Sequence, residues 1–167
     1  MKSAESKAGV ALGLTGVGGW LTLLVVGLMA LGPLRSVERM TAELSKAEAA
    51  NAALTTNALW MSYKANAWML WGIFSTVSFG AGYCLYKIHL RRSVHIAIAA
   101  LWVIGPGFAI ADMLNSYLTV LRPMHLPLNT DDLLAATIAS AVASAFWTGY
   151  LLRSKRVKNT YKVPMAR

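Results

Sequence analysis

Four nearly uncharged, apolar stretches of about twenty residues dominate this chain: Val17 to Leu34, Asn66 to Tyr86, Val94 to Leu118 and Leu133 to Leu152. As a helix, each is long enough to cross a hydrocarbon layer ~30 Å thick. None alternates apolar with polar residues, and so few segments are too few strands to close a barrel around side chains. A helix satisfies its own backbone in lipid, so the pattern predicts an all-α integral membrane four-helix bundle forming one domain over residues 1–167. Composition agrees: with 56% hydrophobic and 14% charged residues, the chain is too apolar for an ordinary soluble domain of 167 residues.

The basic segment Met1 to Lys7 and the weakly cleavage-like "LMALG" resemble parts of a signal peptide. The apolar run between them exceeds a typical signal core, so a retained anchor is expected. A lone cysteine, Cys84, excludes an intrachain disulfide, a dithiol redox motif and a four-cysteine zinc site. Positive charge sets the orientation, because Lys and Arg are retained on the cytoplasmic side. Eleven fall on one face: Lys2 and Lys7, then Lys87, Arg91 and Arg92, then Arg153, Lys155, Arg156, Lys158, Lys162 and Arg167. Five fall on the other: Arg35, Arg39, Lys46, Lys64 and Arg122. Both termini are then cytoplasmic. The tail, with Arg153, Lys155, Arg156 and Lys158 directly after the last span, is expected to lie against anionic lipid head groups, each cation contributing ~1 kcal/mol. It carries too little aromatic surface beyond Tyr161 to act as a nucleic-acid arm.

Between the first two spans, Val37, Met40, Leu44, Ala47, Asn51, Leu54 and Ala58 recur at steps of three and four, and Arg39, Glu43 and Lys46 fall at helical pairing distances. This predicts an additional amphipathic helix over about 35–58 in the first extracytoplasmic loop, either packed on the bundle or offering Val37, Met40, Leu44 and Leu54 as a docking seam. Trp60, Tyr63, Trp68 and Trp71 at one end of the second span, with Tyr83 and Tyr86 at the other, read as interfacial belts. In the third span, Gly105, Pro106 and Gly107 predict a kink, with a hinge as the alternative. Ala136, Ser140 and Ser144, and beside them Ala141, Ala145 and Gly149, predict close helix packing in the fourth.

Asp112 is the one carboxylate inside a span, with Asn115 and Thr119 on the same helical stripe. A charged Asp costs ~2.5–3.5 kcal/mol in the bilayer on insertion scales, so it should face the bundle interior. Ser75 is expected at comparable depth, and Lys64 or Arg35 as partners only if Asp112 lies near the outer boundary. Two roles are open: a protonatable site for an ion or solute, and a structural clamp between helices. Other chemistries fail on spacing. His89, His95 and His125 cannot form an axial haem pair inside the spans, and "GLTGVGG" at Gly13 to Gly19 lacks the Lys-Ser/Thr of a phosphate loop. Asp131 and Asp132 most simply cap the fourth span. No metal or other cofactor site is expected.

"GGWL" at Gly18 to Leu21, Pro33 and above all "SKRVKNTY" at Ser154 to Tyr161 resemble the bacterial four-pass inner-membrane family known as domain of unknown function 2569, with Tyr161 where that family leads one to expect Phe. The resemblance extends from about Gly18 to Tyr161 and implies four helices in a bacterial inner membrane, with no activity to carry over. The sequence therefore points first to a non-enzymatic accessory or scaffold protein that binds another membrane or envelope protein, or itself. The alternative is a small, oligomeric transporter or channel using Asp112 and Asn115.

Overall fold

The computed structural model describes residues 16–125 and 130–161. The expectations for Met1 to Lys7, Gly13, Lys162 and Arg167, and for the side chain of Asp132, lie outside the described residues. Five helices follow one another: α1 (Trp20–Ala50), α2 (Ala58–Lys87), α3 (Arg91–Leu121), α4 (Thr130–Arg153) and the short α5 (Lys155–Thr160), with no strand among the described residues. Three of them, at Trp20–Ala50, Arg91–Leu121 and Leu134–Arg153, are long and apolar enough to cross a membrane. Helix α2, which contains the expected second span, has the length, but its Trp, Tyr, Gly and Ser residues hold its average hydropathy below that of the other three.

The loop helix expected over 35–58 is instead the continuation of α1, and it stops earlier, at Ala50. Two asparagines explain the stop. Asn51 leaves the helical region at φ −145° and its Oδ1 accepts from the Ala53 amide. A 3₁₀ turn, Ala52–Thr56, follows, and Asn57 Oδ1 then accepts from Leu59 N at 2.9 Å and Trp60 N at 3.2 Å to start α2. Asparagine competes for backbone groups in this way at helix ends, and here it overrides the seven-residue spacing. Asn51 and Ala58 are accordingly exposed and not part of a helical seam.

The helices pack in chain order, α1 on α2, α2 on α3 and α3 on α4. Gly16, Tyr161 and the α2–α3 connection, where the described residues begin, end and turn, meet at one end of the bundle, called here the terminal end; the other is the loop end. The buried core belongs to the terminal half: Leu21, Leu24, Val25 and Leu28 of α1, Ala81 and Leu85 of α2, Val94, Ala97 and Ala100 of α3, Leu151 of α4, and Val157 and Tyr161 beyond it. Toward the loop end, burial thins to Leu44, Ala67 and Asn115. The outer surface is apolar. Leu134, Ile138, Val142 and Phe146 form a stripe along α4, each more than half exposed. Such a surface suits lipid as its solvent, and large exposed apolar patches are otherwise rare.

The two helical hairpins repeat one another. "LMALGP" at Leu28 to Pro33 returns as "LWVIGP" at Leu101 to Pro106. The same register pairs Leu21 with Val94, Leu24 with Ala97 and Val25 with Ile98, positions that supply the core from α1 and α3. In the second helix of each hairpin, the register that pairs Ser78 with Ser144 pairs Leu85 with Leu151, two of the most buried residues in the chain. Each serine then makes the same bond: Ser78 Oγ donates to Leu28 O at 2.6 Å and Ser144 Oγ to Leu101 O at 2.9 Å, in both cases the carbonyl five residues before the proline.

At Ser78 the proline explains the bond. Around Pro33 the helix widens into a π turn, Gly27–Leu31, in which Gly32 N donates to Gly27 O. Leu28 O is thereby denied Gly32, and residue 33 has no N–H, so no helical donor is left and the serine of the neighbouring helix supplies one. Pro106 sits in a second π turn, Val103–Gly107, and α3 continues through it to Leu121. Gly105 is a packing residue: a Cβ there would lie 2.6 Å from Ser144 Oγ and 3.4 Å from Ser140 O. The small-residue line through Ser140 and Ser144 thus packs on α3 of the same chain.

Candidate functional site

The sequence-predicted site residues fall into three places. At the loop end, Asn115 on α3 faces α2: its Nδ2 donates to Tyr63 O at 3.3 Å, and Thr119 Oγ1 donates back to Asn115 O. Asn115 is only 8% exposed, and its Oδ1 has no partner among the described residues. Asp112, one turn earlier on the same stripe, is half-buried and makes no hydrogen bond or ion pair among the described residues, yet it lies close enough to feel the charges of Glu43 and Arg39 on α1. Arg39 is committed to Glu43 at 2.7 Å. Lys64, expected as a partner for Asp112, goes instead to Glu48 at 2.6 Å, and Trp60 Nε1 joins the same oxygen at 2.9 Å. The Lys64 bond, then the indole N–H, hold the Glu48 carboxyl below the usual carboxylate range. This bridge ties the end of α1 to the start of α2. Arg35, the other expected partner, is exposed.

The second place is a cavity of about 90 Å³ between α1, α2 and α3, at the depth of both prolines. Ser75 lines it, together with Pro33, Ser36, Trp71, Phe74, Ser78 and Phe108. Trp71 Nε1 donates to Pro33 O at 3.2 Å and Ser36 Oγ at 3.1 Å, and the rings of Phe74 and Phe108 meet edge to face at 5.0 Å. The contacts of Phe108 with Phe74 and of Asn115 with Tyr63 fix the register of α3 on α2, and they place Ser75 about one turn from the level of Asp112 and about two from that of Asn115. Ser75 lines this cavity.

The third place is the terminal end, where the basic tail turns back on the bundle. Ser154 ends α4 and its Oγ accepts from Val157 N at 3.5 Å, starting α5. Thr160 Oγ1 accepts from Gly16 N at 3.0 Å, and a Cβ on Gly18 would lie 2.5 Å from the Arg156 guanidinium. Gly16 and Gly19 both hold positive φ, at 91° and 60°, so this turn is built for glycine. Tyr161 is buried, stacks on His89 at 5.9 Å and donates its hydroxyl to Leu85 O, one of the carbonyls left over at the end of α2. Burial pushes its phenol up to about 12. Arg153, Lys155 and Lys158 stay exposed, while Val157 is buried. The two sequence signatures at Gly18–Leu21 and Ser154–Tyr161 thus meet in one knot.

Of the docking-seam residues, Leu44 is buried within the chain, and Val37, Met40 and Leu54 are half-buried. The Arg39–Glu43 pair is the one its i, i+4 spacing predicts, whereas the Tyr63 carbonyl and the hydrogen bonds of the paired serines have no counterpart in the sequence expectations. The Leu-x-x-x-Gly-Pro repeat was the signal that would have revealed the serines.

Three helices of membrane-spanning length, an apolar exterior and polar groups held between helices define a multi-pass membrane protein. More particularly, the chain belongs to the family described as "Protein of unknown function (DUF2569)", whose sequence profile matches residues 14–162. No curated protein and no solved structure matches it.

Proposed function

We propose that the chain crosses a bacterial inner membrane four times with both termini cytoplasmic, and that it is a non-enzymatic transporter or channel for a small solute or ion. The second crossing is α2, which carries no charged residue between Lys64 and Lys87 and has aromatic residues at both boundaries. The orientation rests on the terminal end, where Lys87, Arg91, Arg92, Arg153, Lys155, Arg156 and Lys158 gather. The terminal end is then cytoplasmic and the loop end outer.

One observation carries the transport reading: the apolar core seals the cytoplasmic half, whereas α1, α2 and α3 enclose polar groups, Asp112 among them, in the outer half. Intramembrane carboxylates of this kind mark ion and solute paths. The test is flux in proteoliposomes across a panel of ions and small solutes. Flux that disappears in Asp112→Asn supports the reading, and flux equal to that of empty liposomes removes it.

An accessory, partner-binding role is the second reading. It is favoured by the extension of α1 beyond Leu34, on which Val37 and Met40 keep part of their surface free, as does Leu54 in the turn that follows. A stoichiometric co-purifying protein that is lost in Leu54→Asp would establish it, and a partner-free preparation would count against it.

A further inference from the structure

We propose that Asp112 and Asn115 form a binding site for one small, singly charged cation, either an alkali ion or an ammonium group. The inference rests on the transport reading only for its physiological use; the site itself stands on geometry. Asn115 is more than nine-tenths buried and its Oδ1 is unpartnered. The amide cannot simply be turned around, because the Tyr63 carbonyl only accepts, so Nδ2 must face it and Oδ1 must face the other way. A buried acceptor in this position calls for a donor or a cation.

Asp112 is the neighbour on the same face, one turn away, where side chains three apart meet at ~5–6 Å between Cβ atoms. Charge accounting gives the sign of the ligand. Arg39 and Glu43 neutralise each other at 2.7 Å, and Lys64 is neutralised by Glu48 at 2.6 Å, so the Asp112 carboxylate is the uncompensated charge among these side chains.

The donor set gives the class. Among the described residues there is no group of three His, Cys, Asp or Glu suited to a metal ion, so a transition metal has no soft or nitrogen ligands here. One carboxylate oxygen and one amide oxygen are hard ligands, and too few carboxylates for a divalent ion that needs six to eight oxygens. A π turn, Tyr117–Leu121, begins two residues after Asn115. Such turns recur at functional sites because they leave helix carbonyls differently directed.

The test is the thermal unfolding of the purified full-length protein in detergent, titrated at constant ionic strength with sodium, potassium, ammonium or methylammonium chloride against choline chloride. A saturable rise in midpoint with at least one of the small cations, absent with choline, is expected. The alkali and ammonium arms distinguish the two sources. Asp112→Asn should abolish the rise, and Asn115→Leu should weaken apparent affinity at least tenfold; both variants must elute as monodisperse protein. A wild-type midpoint that follows choline for every cation overturns the site, as does a cation effect unchanged in both variants. Cation binding without liposome flux would keep the site and remove the transport reading, and flux without any cation effect would do the reverse.

Discussion

Replacing Ser78 with alanine removes the hydroxyl that donates to Leu28 O, and the size of the effect follows from what else that carbonyl has. Interhelical hydrogen bonds in membranes contribute ~0.6 kcal/mol on average and ~1.7 at most, because the unfolded chain in the membrane also finds partners. An ordinary helix carbonyl, moreover, keeps its own helical donor when a side-chain donor is lost. Leu28 O keeps none, since Gly32 N is taken by Gly27 O and residue 33 is proline. Ser78 is buried, and the Cβ of Leu28 lies only 3.3 Å from where a Cβ on Gly82 would be, so the helices approach closely with little room for a replacing water. Ser78→Ala should therefore leave a buried acceptor unsatisfied and cost about 1.5–2.5 kcal/mol. The assay is reversible unfolding by SDS titration in mixed micelles, read by tryptophan fluorescence. A double-mutant cycle with Pro33→Ala isolates the cause, because that alanine restores a backbone N–H beside the orphan. In the Pro33→Ala background the cost of Ser78→Ala should fall by at least ~1 kcal/mol. Additive effects, or a Ser78→Ala cost below ~0.3 kcal/mol, would refute the idea that proline creates the demand that the serine meets.

Gly105→Val should destabilise by ~1–3 kcal/mol in the same titration, because its Cβ displaces Ser144 Oγ from Leu101 O and its methyls meet the Ser140 backbone; an unchanged midpoint would mean that α3 and α4 do not approach here. Tyr161→Phe should cost ~1 kcal/mol at neutral pH through the lost bond to Leu85 O. Because the folded phenol is raised to about 12 from its ordinary 10, this tyrosine's contribution is complete below pH 10 and is lost as pH rises toward 12. The gap between wild type and the Phe variant should therefore be constant from pH 8 to 10 and close above it, and a gap independent of pH would contradict the buried, neutral phenol.

Three of the four expected spans are legible as helices long and apolar enough to cross a membrane, because lipid imposes a length and a polarity that local sequence must meet, and Val94–Leu118 lies wholly inside α3. The end of α1 was not, because a seven-residue spacing says nothing about side-chain caps, and the helix yielded to Asn51 and Asn57. At Pro106 the sequence predicts a kink, with a hinge as the alternative. In the structure it is absorbed by a π turn, Val103–Gly107, through which α3 continues to Leu121. The tail was read as charge alone, and charge cannot reveal that Val157 and Tyr161 are buried between the ends of α1 and α2. In the candidate site, Asp112 and Asn115 were visible as rare polar residues, whereas Lys64 was taken by Glu48, a choice between two carboxylates that only the packing of α1 on α2 could make.

The repeat adds a physical reason for where polarity sits. The register that aligns Pro33 with Pro106 aligns Arg39 with Asp112. These two positions lie near enough to act on each other electrostatically. Like residues at both would repel, or would need a counterion each. Opposite residues would close as a salt bridge and leave nothing to bind, and that closure is prevented by Glu43, which takes Arg39 at 2.7 Å. The difference between the two hairpins at this position thus leaves one carboxylate open in the loop-end half, and the orphaned amide oxygen of Asn115 lies one turn beyond it on the same helix.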